Sequence, residues 1–148
     1  TLGLVVLGVY CSAVGLAMAR ALACARGVQI HTEVADLATF NPPPGHYGAV
    51  VSIFAHLPGA IRQRLYPLVE QSLKPGGLLL LEAYSQAQIA RNTGGPKDLD
   101  MLMSVAKIEQ AFPQLEPILL RELSRDVSEG NLHTGMADVV QFIGRKKG

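Results

Sequence analysis

Residues 50–85, VVSIFAHLPGAIRQRLYPLVEQSLKPGGLLLLEAYS, decide how this chain reads. An apolar run ends at Phe54, and AHLP then leads into a segment in which Ile61, Leu65, Leu68, Val69 and Leu73 recur at helical spacing. Arg62, Gln63, Arg64, Glu70 and Gln71 fall on the other side, so the spacing predicts an amphipathic helix facing a core. Pro58 suits its first turn, and Lys74 complements the negative end of its dipole. Pro75-Gly76-Gly77 stops it, because proline disfavours helical geometry before it and glycine accepts a left-handed turn. Leu78 to Leu81 show no alternation, which predicts a strand covered on both faces. The whole is one right-handed strand–helix–strand unit, and sheets built from such units bind ligands at the carboxyl ends of their strands.

Composition bounds what such a sheet can serve. At 148 residues and 49% hydrophobic, the chain supports one core and reads as a single domain over residues 1–148. A net charge of +1 leaves no field to attract nucleic acid or an anionic membrane, and Arg145-Lys146-Lys147 read as a solvated tail. Cys11 and Cys24 flank one expected helix and read as free thiols, so the expected location is the cytoplasm. The first charge is Arg20, yet no basic leader precedes the apolar start, and Gly3, Gly8, Tyr10, Ser12 and Gly15 break it up; this argues against a membrane span. Thr1 in first place suggests a fragment or a processed product.

Along the chain, residues 4–9 form a short apolar run, and Ser12 can cap a helix whose apolar side is marked by Val14, Met18, Ala21, Leu22 and Ala25 until Gly27 ends it. Residues 28–34 read as a strand, residues 41–45 as a loop, and residues 48–54 as the next strand. The polar stretch after Ser85, through Asp100, is long enough to be a cover over a ligand site. Ser104 can cap a short helix to Phe112, and residues 118–127 and 139–143 read as an antiparallel hairpin. The expected fold is a three-layer α/β/α sandwich with a mostly parallel sheet and a C-terminal antiparallel hairpin.

The ordered set VADLATF, VVSIFAHLP, KPGGLLLLEAYS and NLHTGMADVVQFIGRKK resembles the Rossmann-like S-adenosylmethionine-dependent methyltransferases, and within them the small bacterial branch similar to tellurite-resistance methyltransferases. The likeness runs from Leu2 to Lys147. It implies that the strand after the proline-glycine turn is the family's fifth and that the hairpin supplies the sixth and seventh. It also implies that the domain is N-terminally incomplete, lacking the first strand and the glycine-rich loop. An alternative alignment makes residues 5–9 the first strand, but Tyr10, Cys11, Ala13 and Val14 then put side chains where close backbone approach calls for glycine.

By the same resemblance S-adenosylmethionine is the expected cofactor, held by Tyr10, Cys11, Asp36, Leu37, Ser52 and Ile53. Tyr10 stands where the family carries an acidic residue for the ribose hydroxyls, and a phenol cannot accept two hydrogen bonds as a carboxylate does. Gly48 likewise stands where an aspartate is frequent. Asp36 would accept from the adenine amine; the competing reading has it capping the turn toward Thr39. Phe54, His56, Tyr84 and His133 are the expected lining of an acceptor pocket, with Glu82 a further candidate. His56 is the candidate base, because an imidazole titrates near neutrality, and a backbone-bonded junction histidine is the equal alternative. His31 and His46 lack companions, so no metal site is expected.

The expected activity is methyl transfer to a small molecule or a metalloid oxyanion. The alternative is a catalytically impaired remnant or a non-enzymatic partner, which could form a homodimer to cover a first-strand groove. No G-x-G-x-x-G loop supports a nicotinamide enzyme.

Overall fold

The computed structural model describes residues 3–128 and 134–148. The chain divides into two compact units, Thr1–Asn41 and Pro42–Gly148.

In the first unit, strand β1 (Leu7–Tyr10) is followed by helix α1 (Ala13–Ala25) and strand β2 (His31–Val34), which pairs with β1 in parallel, Leu7 opposite His31 and Tyr10 opposite Val34. Ser12 caps α1 as expected: its Oγ accepts the Gly15 amide at 3.1 Å. Gly27, at φ +65°, follows the last turn. The buried side of α1 is not the expected one. Leu16 and Ala23 are buried, whereas Val14, Met18 and Leu22 are 72%, 69% and 58% exposed. Sterics explain the choice. A Cβ on Gly15 would lie 2.8 Å from the Tyr10 ring, and one on Gly8 would meet the Leu16 side chain at 3.8 Å. The helix therefore sits close to β1 through its small residues, and the larger stripe faces out.

The second unit holds a four-stranded sheet in the order β3-β4-β6-β5, formed by β3 (Tyr47–Ile53), β4 (Leu73–Tyr84), β5 (Leu115–Ser128) and β6 (Thr134–Lys146). β3 and β4 are parallel; β4 with β6 and β5 with β6 are antiparallel. The hairpin is as expected but longer, and it makes this sheet mixed. The expectation of a mostly parallel sheet is corrected here, because the antiparallel pairs carry the longest registers.

Helix α2 (Gly59–Ser72) connects β3 to β4, and α3 (Val105–Ala111), capped by Ser104 Oγ on the Lys107 amide at 3.2 Å, precedes β5. Both pack on the same face: Tyr66, Val69, Val105, Ile108 and Phe112 form one core with Leu79, Leu81, Ala83, Val140 and Phe142. Strand neighbours point to opposite faces, so Tyr84 and Val139 lie on the other side, in a smaller cluster with Leu102, Val127 and Ala137. Leu78 and Leu80 are only half-buried there. Within this unit the described helices α2 and α3 pack on one face of the sheet.

KPGG is a bulge inside β4 rather than the helix stop expected: α2 already ends at Ser72, and Leu73, expected on its apolar face, is extended and opens the strand. Leu73 pairs with Tyr47 and Leu78 with Ala49, so four residues of β4 loop out opposite Gly48. Gly76 has φ +76°, and a Cβ on Gly77 would lie 2.8 Å from the Lys74 carbonyl oxygen. Pro67 sits inside α2 and removes the amide that would reach the Gln63 carbonyl. Two α2 residues expected to face water are instead held by the fold. Glu70 is buried and accepts the Gln114 amide at 3.0 Å, and the Arg62 side chain is only 12% exposed.

Candidate functional site

In the first unit the chain leaves β1 and β2 side by side. The Ala35 amide donates to the Tyr10 carbonyl at 3.2 Å, which sets Tyr10 and Cys11 beside the turn that carries Asp36 and Leu37. Tyr10, Cys11 and Asp36 are exposed, and Leu37 is half-buried. Asp36 Oδ1 accepts the Ala38 amide at 2.8 Å, while the amides of Thr39 and Phe40 donate to the Asp36 carbonyl. The carboxylate is thus fixed by its own turn, as the capping reading expects, and still stands at the surface. Both cysteines are free and exposed.

In the second unit the tips of β3 and β4 build an aromatic stack. Ser52 and Ile53 pair with Leu81 and Glu82, and the Phe54 amide donates to the Glu82 carbonyl at 2.8 Å. Phe54 has φ +50°, a left-handed conformation that is rare for a bulky residue and costs about 1–3 kcal/mol. It turns the chain so that Phe54 and His56 both stack on Tyr84, with ring centroids 4.7 Å and 5.3 Å away. The His56 and Tyr84 rings are within 8° of parallel. His56 Nδ1 lies 3.3 Å from the Met101 carbonyl oxygen. Phe54, His56 and Tyr84 are therefore one cluster, as the sequence reading groups them. His133 lies outside the described residues.

Tyr84 is 1% exposed, so it forms the floor of the cluster rather than an open wall. Its cover is the polar stretch after Ser85. A 3-10 turn, Gln86–Ala90, begins it. Gly95 then lies against the ring, where a Cβ would meet Tyr84 Cδ2 at 2.7 Å.

Two anchors hold this cover. Buried Gln88 donates to Thr93 Oγ1 at 3.1 Å and to the Gly94 carbonyl at 3.0 Å, and accepts the Asp138 amide at 2.8 Å. Arg91 forks onto the Asp138 carboxylate, which also accepts from Ser124. Arg91, then Ser124, hold the Asp138 carboxyl below the ordinary carboxylate range. At the other end, the Asp100 carboxylate takes the Gly59 amide at 2.6 Å and Arg62 at 3.0 Å. The Gly59 amide first, and Arg62 after it, lower its pKa. Pro58 offers α2 no side-chain cap, and Asp100 supplies that acceptor from elsewhere in the chain.

Glu82, by contrast, is absorbed into the sheet. It pairs with Arg125 and accepts Gln141 Nε2 at 2.7 Å, and Gln141 accepts from Arg121. Gln88, Arg91, Gly95 and Asp100 were not singled out from the sequence. The only hint is that Gly94-Gly95 interrupts a polar segment; the partners of the other three are distant in sequence.

No family model matches this chain, and no curated protein matches it in sequence. Solved structures do. TehB from Haemophilus influenzae superposes with a TM-score of 0.78 at 15% identity, over 99% of this chain and 51% of that one. S-adenosylmethionine-dependent methyltransferases from Methanosarcina mazei and Mesorhizobium loti give TM-scores of 0.72 and 0.70 at 14% and 19% identity, over 95% and 96% of this chain and 81% and 80% of theirs.

The fold is the methyltransferase fold. This chain spans about half the length of TehB. Among its described residues no group of three or more His, Cys, Asp or Glu could hold a metal ion, and no helix is long and apolar enough to cross a membrane.

Proposed function

We propose that this chain is a methyltransferase-like domain that moves a methyl group from S-adenosylmethionine to a small-molecule or metalloid acceptor. The superposition on methyltransferases over nearly the whole chain supports this reading. The residues fit the cofactor in part. Asp36 offers an exposed carboxylate fixed by its own turn, suited to the adenine amine, with Leu37 and Cys11 as apolar neighbours. Tyr10 offers the ribose a single phenol, so binding is expected to be weaker than with a carboxylate there. Ser52 and Ile53, at the end of β3, are proposed as further cofactor contacts.

When bound, the cofactor supplies an electrophilic methyl on a positively charged sulfur. The chain's own residues then align the acceptor and keep water away. Phe54 and His56, held against the buried Tyr84 ring, are the side chains proposed to align it, with His56 the candidate base where the attacking atom must lose a proton.

The second reading, an impaired remnant or binding partner, is favoured by the edge of β3. YGAVVSI carries no charge, and Val51 and Ile53 are 64% and 51% exposed. The opposite edge, β5, carries Glu116, Pro117, Arg121, Glu122, Arg125 and Asp126, with a bulge after Pro117. Charged, bulged edges resist pairing, and uncharged flat ones invite it. A further strand is therefore proposed to pair with β3, from a longer form of this chain or from a second copy in a homodimer.

Isothermal titration with S-adenosylmethionine tests the first reading. Binding that weakens about tenfold or more in Asp36→Ala, the loss of one charge-assisted hydrogen bond, supports it. No heat from a protein shown by circular dichroism to be folded overturns it in favour of the second.

A further inference from the structure

We infer that Arg62 and Asp100 form a bracket that sets the tautomer of His56, holding the ring proton on Nδ1 and leaving the lone pair on Nε2. The geometry points to it from both sides of one contact. A carbonyl oxygen can only accept, so the 3.3 Å approach of His56 Nδ1 to the Met101 carbonyl is a hydrogen bond only when Nδ1 carries the proton. In a neutral imidazole the other nitrogen is then the basic one.

That contact joins two segments 45 residues apart, and a single guanidinium ties both. Arg62 Nη1 donates to the carbonyl of Leu57, the residue after His56, at 2.5 Å. Its Nη2 donates to Oδ1 of Asp100, the residue before Met101, at 3.0 Å. Asp100 Oδ2 adds the Gly59 amide at 2.6 Å, so the same carboxylate grips α2 through backbone as well. Lys107 closes the far side, donating to the carbonyls of Leu99, Asp100 and Leu102 at 2.9, 3.2 and 2.7 Å. The Met103 amide then donates to the Tyr84 carbonyl at 3.0 Å, which ties the same strip to the strand beneath the stacked rings. Met101 is thus held one residue from an anchor on one side and one or two residues from anchors on the other. Its carbonyl has little freedom to leave His56.

Arg62 and Asp100 are positioning residues in this scheme. The catalytic meaning of the bracket rests on His56 acting as the base, but the tautomer can be read without any activity.

The test is a long-range proton–nitrogen NMR correlation of the histidine rings, about two pH units above the ordinary imidazole pKa, with His56 assigned by its loss in His56→Gln. The wild-type chain is expected to show Nδ1 protonated and Nε2 unprotonated. In Asp100→Ala and Arg62→Ala the share of that tautomer is expected to fall by about half, towards a mixture. Asp100→Asn keeps an acceptor for Gly59 and is expected to retain most of it, whereas Arg62→Lys cannot reach both partners and is not expected to rescue. Should the alanine variants fail to fold, these two milder variants carry the same comparison. A wild-type His56 protonated on Nε2 overturns the proposal, as do folded variants whose tautomer does not move. S-adenosylmethionine titrated into the same samples separates the two claims. A tautomer shift without cofactor binding leaves the bracket standing and removes the methyl-transfer reading. Cofactor binding with an unmoved tautomer does the reverse.

Discussion

The two units of this chain form the same kinds of element from the same kinds of local signal, yet they are stabilised very differently. In Thr1–Asn41 the buried hydrophobics among the described residues are Leu16 and Ala23, while Leu4, Val5, Val6, Leu7, Tyr10, Val14, Met18, Leu22, Val28 and Val34 are exposed. In Pro42–Gly148 two clusters cover the two faces of the sheet, one with Leu79 and Phe142 and a smaller one with Tyr84 and Val139. A capped helix and a parallel strand pair can be specified locally, but only buried apolar area offsets the entropy of ordering them. The first unit has its elements without its core. Below about 40 residues a chain rarely stands alone, and this unit is of that size.

The largest test of this contrast is to divide the chain after Asn41. Residues 42–148 are expected to give a cooperative thermal transition by circular dichroism, and residues 1–41 none. A sharp transition in the short piece would break the comparison. Next in size, Phe142→Ala removes a ring stacked on Phe112 at 5.9 Å in the main core and is expected to cost about 3–5 kcal/mol in denaturant unfolding.

Gly95→Ala is smaller. It places a methyl against the Tyr84 ring at φ +85°, with an expected cost of about 1–3 kcal/mol and altered Tyr84 resonances, which sharpens the claim that the cover lies on the aromatic stack. The smallest effect belongs to the first unit, where Met18→Gln on the exposed side of α1 is expected to change stability by less than about 0.5 kcal/mol. A large loss there would mean that the outward stripe is covered in solution.

Acid separates the anchors of the cover from the rest. Asp100 and Asp138 both have folded pKa values lowered by their partners, so each stabilises the fold above the ordinary carboxylate pKa of about 4 and loses that contribution as pH falls through its own lower value. Asp138→Asn is therefore expected to flatten the acid side of the stability curve. An unchanged curve would show that Arg91 and Ser124 do not anchor the cover through that charge.

The sequence made much of this legible. Ser12 and Ser104 cap helices because a hydroxyl before an apolar-periodic run has few other local uses, and both do so. Phe54, His56 and Tyr84, expected at the strand tips, do come together at the ends of β3 and β4, whereas KPGG lies within β4 instead of ending α2. Asp36 sits at the tip of β2 as read, in the turn that the competing reading described. Other features escaped for identifiable reasons. α1 carries two stripes of similar spacing, and the larger, more apolar one was expected inside. The polar stretch after Ser85 reads as a cover from its length, but nothing local shows that Gln88, Arg91 and Asp100 anchor it. Each has at least one anchoring partner 41 to 50 residues away, beyond any local pattern: Asp138 for Gln88 and Arg91, and Gly59 for Asp100.

What the sequence determined by itself was the order of elements, the serine-capped starts of α1 and α3 and which strand tips carry aromatic and titratable groups, because periodicity, caps and turn residues act over a few positions. Tertiary structure alone decided which side of α1 is buried, that the main sheet is mixed with helices on one face, that Tyr84 is a floor under a pinned cover, and that Arg62 joins the segments of His56 and Met101. Those outcomes depend on close approach and on hydrogen-bond partners brought together from distant positions, and neither leaves a periodic trace in the chain.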